Sequence, residues 1–142
     1  MNIKKLVYES ALYMHDNYSE PIGVTDISAQ AHLSPSYFAA VFRILTGFTV
    51  KNYFNRYRLY RAAAELVANS RRIIDIAFDV GFLSQESFTR SFSKAYGITP
   101  AQFRLTKPPF DPFPPVNLFK WKDQQPIEFI DIIDRGKLAY GK

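Results

Sequence analysis

Apolar residues recur every three or four positions along roughly the first hundred residues, the period of amphipathic helices, and end signals divide this pattern into seven elements. The first, about Ile3 to Asn17, places Ile3, Leu6, Val7 and Met14 along one side. Thr25 is set to cap a short second helix ending near Ala31. Ser34 followed by Pro35 reads as the N-cap and first helical residue of a third, with Gly47 as its stop. Thr49 opens a long fourth helix to about Ala68, whose Leu59, Ala62, Ala63, Leu66 and Val67 form a buried stripe. A fifth runs from about Ile73 to Val80. Ser84 caps a sixth that stops before Gly97, and Thr99, Pro100 and Gln102 make a capping-box start for a seventh.

The pattern contains a repeat. Fifty positions on, Leu33 falls on Leu83, Ser34 on Ser84, Phe38 on Phe88, Phe42 on Phe92, Gly47 on Gly97, Thr49 on Thr99 and Tyr53 on Phe103. Upstream of the turn the match needs forty-nine, pairing Asp26 with Asp75, Ile27 with Ile76 and Ser28 with Ala77, so one copy carries an extra residue in its turn. A short helix, a tight turn and a second helix starting at a serine cap is the layout of a helix-turn-helix. On the sixth helix Phe88, Phe92 and Ala95 form the inner side, which turns Glu86, Arg90 and Ser93 outward. On the third, Phe38, Phe42 and Leu45 face in, leaving Ser36, Ala40 and Arg43 out. Neither outer face has the apolar residues that a covering helix would need. A fourth helix of twenty residues is about 30 Å long, close to the roughly 34 Å between successive major grooves on one face of a duplex. One chain could then enter adjacent grooves. A helical protein-interaction module without DNA contact is the alternative.

Charge favours the first of these. Residues 1–107 hold thirteen Lys and Arg against eight Asp and Glu, whereas residues 108–142 hold five of each, so the whole net charge of +5 falls on the helical part. A polyanionic partner suits that distribution. With 142 residues, 47% hydrophobic and 22% charged, the chain is neither disordered nor large enough for a multidomain enzyme. It has no cysteine, hence no disulfide, catalytic thiol or thiolate metal site, and a reducing compartment is expected. His15 and His32 lack ligand partners at metal spacing, and no phosphate-cradling glycine loop or nucleophile elbow is present, so no enzyme activity, cofactor or metal is expected. No apolar run reaches the roughly 18 residues of a membrane span, and the expectation is a soluble, cytoplasmic protein.

The second repeat is the most informative string: Ile76, Ala77, Phe78, Asp79, Val80, Gly81, Phe82, Leu83, Ser84, Gln85, Glu86, Ser87, Phe88, Thr89, Arg90, Ser91, Phe92, continuing through Gly97, Ile98, Thr99, Pro100, Ala101, Gln102, Phe103 and Arg104. With Ser34 to Phe38, Phe42, Thr46 and Gly47 in the first repeat, and Arg58, Leu59, Ala62 and Ala63 between the two, it resembles the DNA-binding domain of the AraC family of bacterial transcription regulators over about residues 2–106. The resemblance implies an all-α fold of two helix-turn-helix subdomains joined by a long linker helix. It implies transcription regulation through double-stranded DNA, activation by contact with RNA polymerase being usual, and makes Gln85, Glu86 and Arg90 base readers of the second recognition helix. Ser36, Ala39 and Ala40 take the matching places on the first.

Arg can grip guanine, Glu can accept from cytosine and Gln can pair with adenine, whereas alanine offers only apolar contact, so the first helix is expected to anchor more than it reads. Arg43, Arg56, Arg58, Ser87, Thr89 and Lys94 are the phosphate candidates, alongside Arg61, Arg71 and Arg72. Glu86 and Arg90, four apart, could instead form a surface ion pair. Tyr53, Tyr57 and Tyr60, at helical spacing, and Phe82 and Phe103 are expected to pack inside.

Pro108 to Pro115 packs five of the nine prolines into eight residues and ends the helical pattern. The domain expectation is therefore a DNA-binding part, 1–107, and a Pro-rich linker with a strand-like tail, 108–142. Pro126 to Asp134 is rich in β-branched and aromatic residues, and the segment on to Lys142 resembles, over a short stretch, the first strand of GyrI-like small-molecule sensor domains. A lone strand cannot bury its face, so this reading makes the chain a piece of a longer regulator, with an effector only if the complete sensor exists. A terminal extension packed on the helices is the alternative.

Overall fold

A computed structural model describes residues 2–120. It contains seven helices among those residues: α1 (Ile3–Asp16), α2 (Val24–Gln30), α3 (Pro35–Thr46), α4 (Val50–Ala68), α5 (Ile73–Asp79), α6 (Gln85–Tyr96) and α7 (Pro100–Thr106). The expected strand at 126–134 lies outside the described residues.

The caps explain these bounds. Asn2, Ser34, Ser84 and Thr99 each accept a hydrogen bond from a backbone N–H of the first turn, and the Thr49 hydroxyl accepts from Asn52 N in the same way. The Gln102 side chain also accepts from Thr99 N, completing the capping box. Gly47 and Gly97 stop α3 and α6 at φ of 80° and 81°, a left-handed conformation that costs glycine little. One cap differs from expectation. Gly23, not Thr25, starts α2, because the Asp26 carboxylate accepts from Gly23 N at 2.9 Å and closes the turn two residues earlier.

The chain forms two compact units. In the first, α1, α2, α3 and the start of α4 bury Val7, Ala11, Met14, Ile27, Phe38, Val41, Phe42, Tyr53 and Phe54. Lys4 and Ser10 are buried beside them, which hydropathy alone does not foresee. Tyr53 is fully enclosed, edge-on to Phe42, and shares a 2.8 Å hydrogen bond with His15 Nε2. The second unit packs the rest of α4 against α5, α6 and α7. Leu59, Ala62, Ala63 and Leu66 meet Ile76, Ala77, Val80, Phe88, Phe92 and Phe103. The expected inward positions of Tyr53 and Phe103 are met in full, and Phe82 packs at the edge of this second core.

The Pro-rich segment is no loose linker at its start. Phe110 packs edge-on to Tyr96 and Phe103 and tilted to Tyr60, and Phe113 is buried, so the second compact unit includes residues up to Pro114. Phe119 packs edge-on to Tyr8 and Tyr53 in the first unit.

Burial lowers the pKa of His15 below the usual histidine range, outweighing the opposing pull of Asp16. The unfolded chain therefore takes up this proton at a higher pH than the folded one. Stability from the neutral ring is complete above about pH 6.5 and declines as pH falls toward the folded pKa. The melting temperature should drop between pH 7.5 and 5.5, and His15→Gln should reduce that drop. An unchanged pH profile in the variant would exclude His15 as its source.

Candidate nucleic-acid interface

Each recognition helix has an inner and an outer side fixed by the same pair of phenylalanines. Phe38 and Phe42 on α3, and Phe88 and Phe92 on α6, are all 0% exposed. One turn of helix separates the members of each pair, so the opposite face is turned to solvent. On α6 that face carries Glu86, Arg90 and Lys94, all exposed, with Thr89 and Ser93 half-buried at its edges, while Gln85, one turn before Phe88 on the inner side, is exposed because it opens the helix. On α3 it carries Ser36 and Arg43, exposed, with Ala39 and Ala40 half-buried. Glu86 and Arg90 thus share the outer side of α6, and Ser36 and Ala40 that of α3, with Ala39 at its edge and Gln85 at the helix start. Glu86 and Arg90 make no ion pair with each other, so both side chains keep their hydrogen-bonding capacity for a ligand.

The two turns are built alike. In the first, Leu33 N donates to Ser28 O and His32 N to Ala29 O. In the second, Phe82 N donates to Ala77 O and Gly81 N to Phe78 O. Both are Schellman closures, with His32 (φ 59°) and Gly81 (φ 96°) as the left-handed residues. The structural partner of Leu33 is therefore Phe82, and the extra residue of the second turn is Leu83, not a counterpart of Leu33 as identity alone suggests. Leu83 is 92% exposed directly before the Ser84 cap, at the end of α6 that carries Gln85 and Glu86. The change of repeat offset from forty-nine to fifty was the signal for it.

The phosphate candidates divide. Arg43 and Lys94 are exposed on the recognition helices, and Thr89 lies at the edge of α6. The Ser87 hydroxyl donates to Ser84 O and accepts from the Ser84 hydroxyl, which ties it into the cap. Arg56 lies over the rings of Tyr96 and Phe113 at 5.2 and 5.9 Å. Arg58 is the clear departure from expectation: Nε donates to Tyr18 O at 2.7 Å and a terminal nitrogen to Glu20 O at 2.6 Å. Desolvation lowers its pKa, and these two hydrogen bonds go to carbonyls of the protein. Arg61 covers the Tyr18 ring. Arg71 pairs with Glu65 and Asp79, and Arg72 grips Asp75 with two hydrogen bonds. Among the described residues there is no cluster of three or more metal-ligating side chains, and no helix is long and apolar enough to cross a membrane.

The sequence profile of the helix-turn-helix domain family matches residues 27–106. The regulatory protein SoxS of Escherichia coli K12 is 30% identical over 104 residues, which cover 73% of this chain and 97% of SoxS. A transcriptional regulator of the AraC-type DNA-binding group from Chromobacterium violaceum superposes with a TM-score of 0.69 at 26% identity, over 72% of this chain and 91% of that one. The chain belongs to the AraC-type helix-turn-helix family of DNA-binding transcription regulators. The AraC-type fold is shared by the DNA-binding domain of AdpA, solved with a target DNA, at a TM-score of 0.68 and 24% identity, over 70% of this chain and 90% of that one. In this AraC-type chain the outer faces of α3 and α6 are the exposed sides of the second helices of the two helix-turn-helix motifs.

The Ser84 hydroxyl fixes where α6 begins. Ser84→Ala should cost about 0.5–2 kcal/mol in chemical denaturation, and Ser34→Ala should cost a similar amount at α3. Losses of under 0.3 kcal/mol at both would show that packing alone sets the helix starts.

Proposed function

We propose that this AraC-type regulator binds double-stranded DNA in a sequence-specific manner by placing α3 and α6 in adjacent major grooves. The observation that carries this is the solvent-facing side of α6, where Glu86 and Arg90 stand with no ion pair joining them and Gln85 is exposed beside them in the first turn. These are hydrogen-bonding groups suited to base edges, on a helix whose first turn is its capped end. On α3, Ser36, Ala39 and Ala40 offer one hydroxyl and two methyl groups. That helix contributes position and apolar contact, for example with thymine methyls, more than donor and acceptor readout. Arg43, Lys94 and Thr89 supply phosphate contacts, while Ser87, whose N–H and hydroxyl are both bonded to Ser84, sets the start of the helix. SoxS, a regulatory protein similar over almost its whole length, and the AdpA domain solved with its target DNA support the same reading.

The role is regulatory rather than enzymatic, with RNA polymerase as the expected protein partner and no cofactor. Residues 1–114 form the DNA-binding part. A small-molecule effector enters only if a complete sensor domain exists, the alternative for the tail being an extension packed on the helices, as Phe119 is on Tyr8 and Tyr53, and a cytoplasmic location suits a regulator. The alternative of a protein-interaction module without DNA contact predicts little salt-dependent affinity for any duplex.

Shift assays on a duplex selected from a random pool test this directly. Arg90→Ala should weaken cognate binding by about 1–3 kcal/mol and relax preference at one base position. Lys94→Ala should weaken binding on all sequences and reduce the salt slope by about one. Equal losses on cognate and random DNA for Arg90→Ala would remove it from base reading.

A further inference from the structure

We infer that Arg58 is a positioning residue for the second recognition helix, acting through Gly81 rather than through DNA. Its guanidinium is fixed on one side by Tyr18 O and Glu20 O, at 2.7 and 2.6 Å. On another side it lies against Gly81: a Cβ built on that glycine would sit 2.9 Å from both Cζ and Nε of Arg58. Gly81 is the left-handed residue that closes α5, and the chain from it reaches the Ser84 cap of α6 within three residues. The turn thus rests on a flat, charged plate that two carbonyls hold still. Arg61 reinforces the same support, lying 4.9 Å over the Tyr18 ring and donating to its hydroxyl.

Two features make this a positioning contact and not general packing. Gly97 has the same left-handed conformation but open space where its Cβ would be, so backbone geometry alone does not bring an arginine to a glycine of this kind. The fork of a guanidinium is also what two separate carbonyls require, and the single ammonium of lysine cannot hold both while presenting a flat face to the turn. Base reading needs side chains held to within about 0.5 Å, so a small shift of Gly81 is transmitted to Glu86 and Arg90 as lost discrimination before it is felt as lost fold.

The inference rests on α6 reading bases, and the test separates the two. Wild type, Arg58→Lys, Arg58→Ala and Gly81→Ala are titrated, at several salt concentrations, against three duplexes: the selected site, the site with the α6 half scrambled, and the site with the α3 half scrambled. Wild type should prefer the selected site over both others. Arg58→Lys should keep the wild-type salt slope yet lose about tenfold of its discrimination against the α6-scrambled duplex, while discrimination against the α3-scrambled duplex stays within twofold. Gly81→Ala should do the same from the other side of the contact, and should lose less further discrimination when introduced beside Arg58→Lys. A loss spread evenly over all duplexes would mean a general fold defect and overturn the inference. Full binding by Arg58→Lys, with a flattened salt slope only in Arg58→Ala, would mean a phosphate contact and overturn it too. Wild type that ignores scrambling of the α6 half would overturn base reading by α6, and this inference with it.

Discussion

Two phenylalanines one helical turn apart decide what each recognition helix can do. Phe38 with Phe42, and Phe88 with Phe92, are wholly buried, and each such side chain contributes about 1.5–3 kcal/mol by leaving water. That energy fixes the rotation of α3 and α6 about their own axes. With the inner side fixed, the outer residues have no freedom to choose another face. A polar replacement at either phenylalanine would therefore damage binding without touching a DNA-facing atom.

Rotation is only one of the variables a recognition helix must hold. Its start is fixed by Ser34 or Ser84, its end by Gly47 or Gly97, and its approach by a Schellman turn. The two copies use the same devices with different residues. His32 occupies the left-handed position of the first turn, where Gly81 occupies that of the second. Leu83 lengthens only the second turn and leaves a leucine in solvent at the N-terminal end of α6. The outer faces differ in the same direction: small residues on α3, hydrogen-bonding residues on α6. The two copies thus share one architecture and differ in the chemistry of their outer faces.

The elements were legible in the sequence because their signals are local. Ser34 with Pro35, and Thr99 with Pro100 and Gln102, state a helix start within four residues, and apolar spacing states the buried side. The start of α2 was misplaced by two residues because glycine and threonine both serve as caps, and only the reach of the Asp26 carboxylate separates them. The carbonyl contacts of Arg58 were hidden for a different reason. An arginine between basic neighbours looks like a phosphate ligand, while its carbonyl partners are about forty positions away and reveal themselves only in three dimensions. The boundary at the prolines had the same weakness, since proline ends a helix but says nothing of Phe110 folding back on Phe103.

Site-specific photocrosslinking tests whether the outer faces of α3 and α6 are the surfaces that touch the duplex. A photoreactive residue placed at Ser36 or Glu86 should crosslink to a selected duplex, while the same residue at the exposed positions Leu12 on α1 or Leu105 on α7 should not. Crosslinks from Leu12 or Leu105, with Ser36 and Glu86 silent, would contradict that contact.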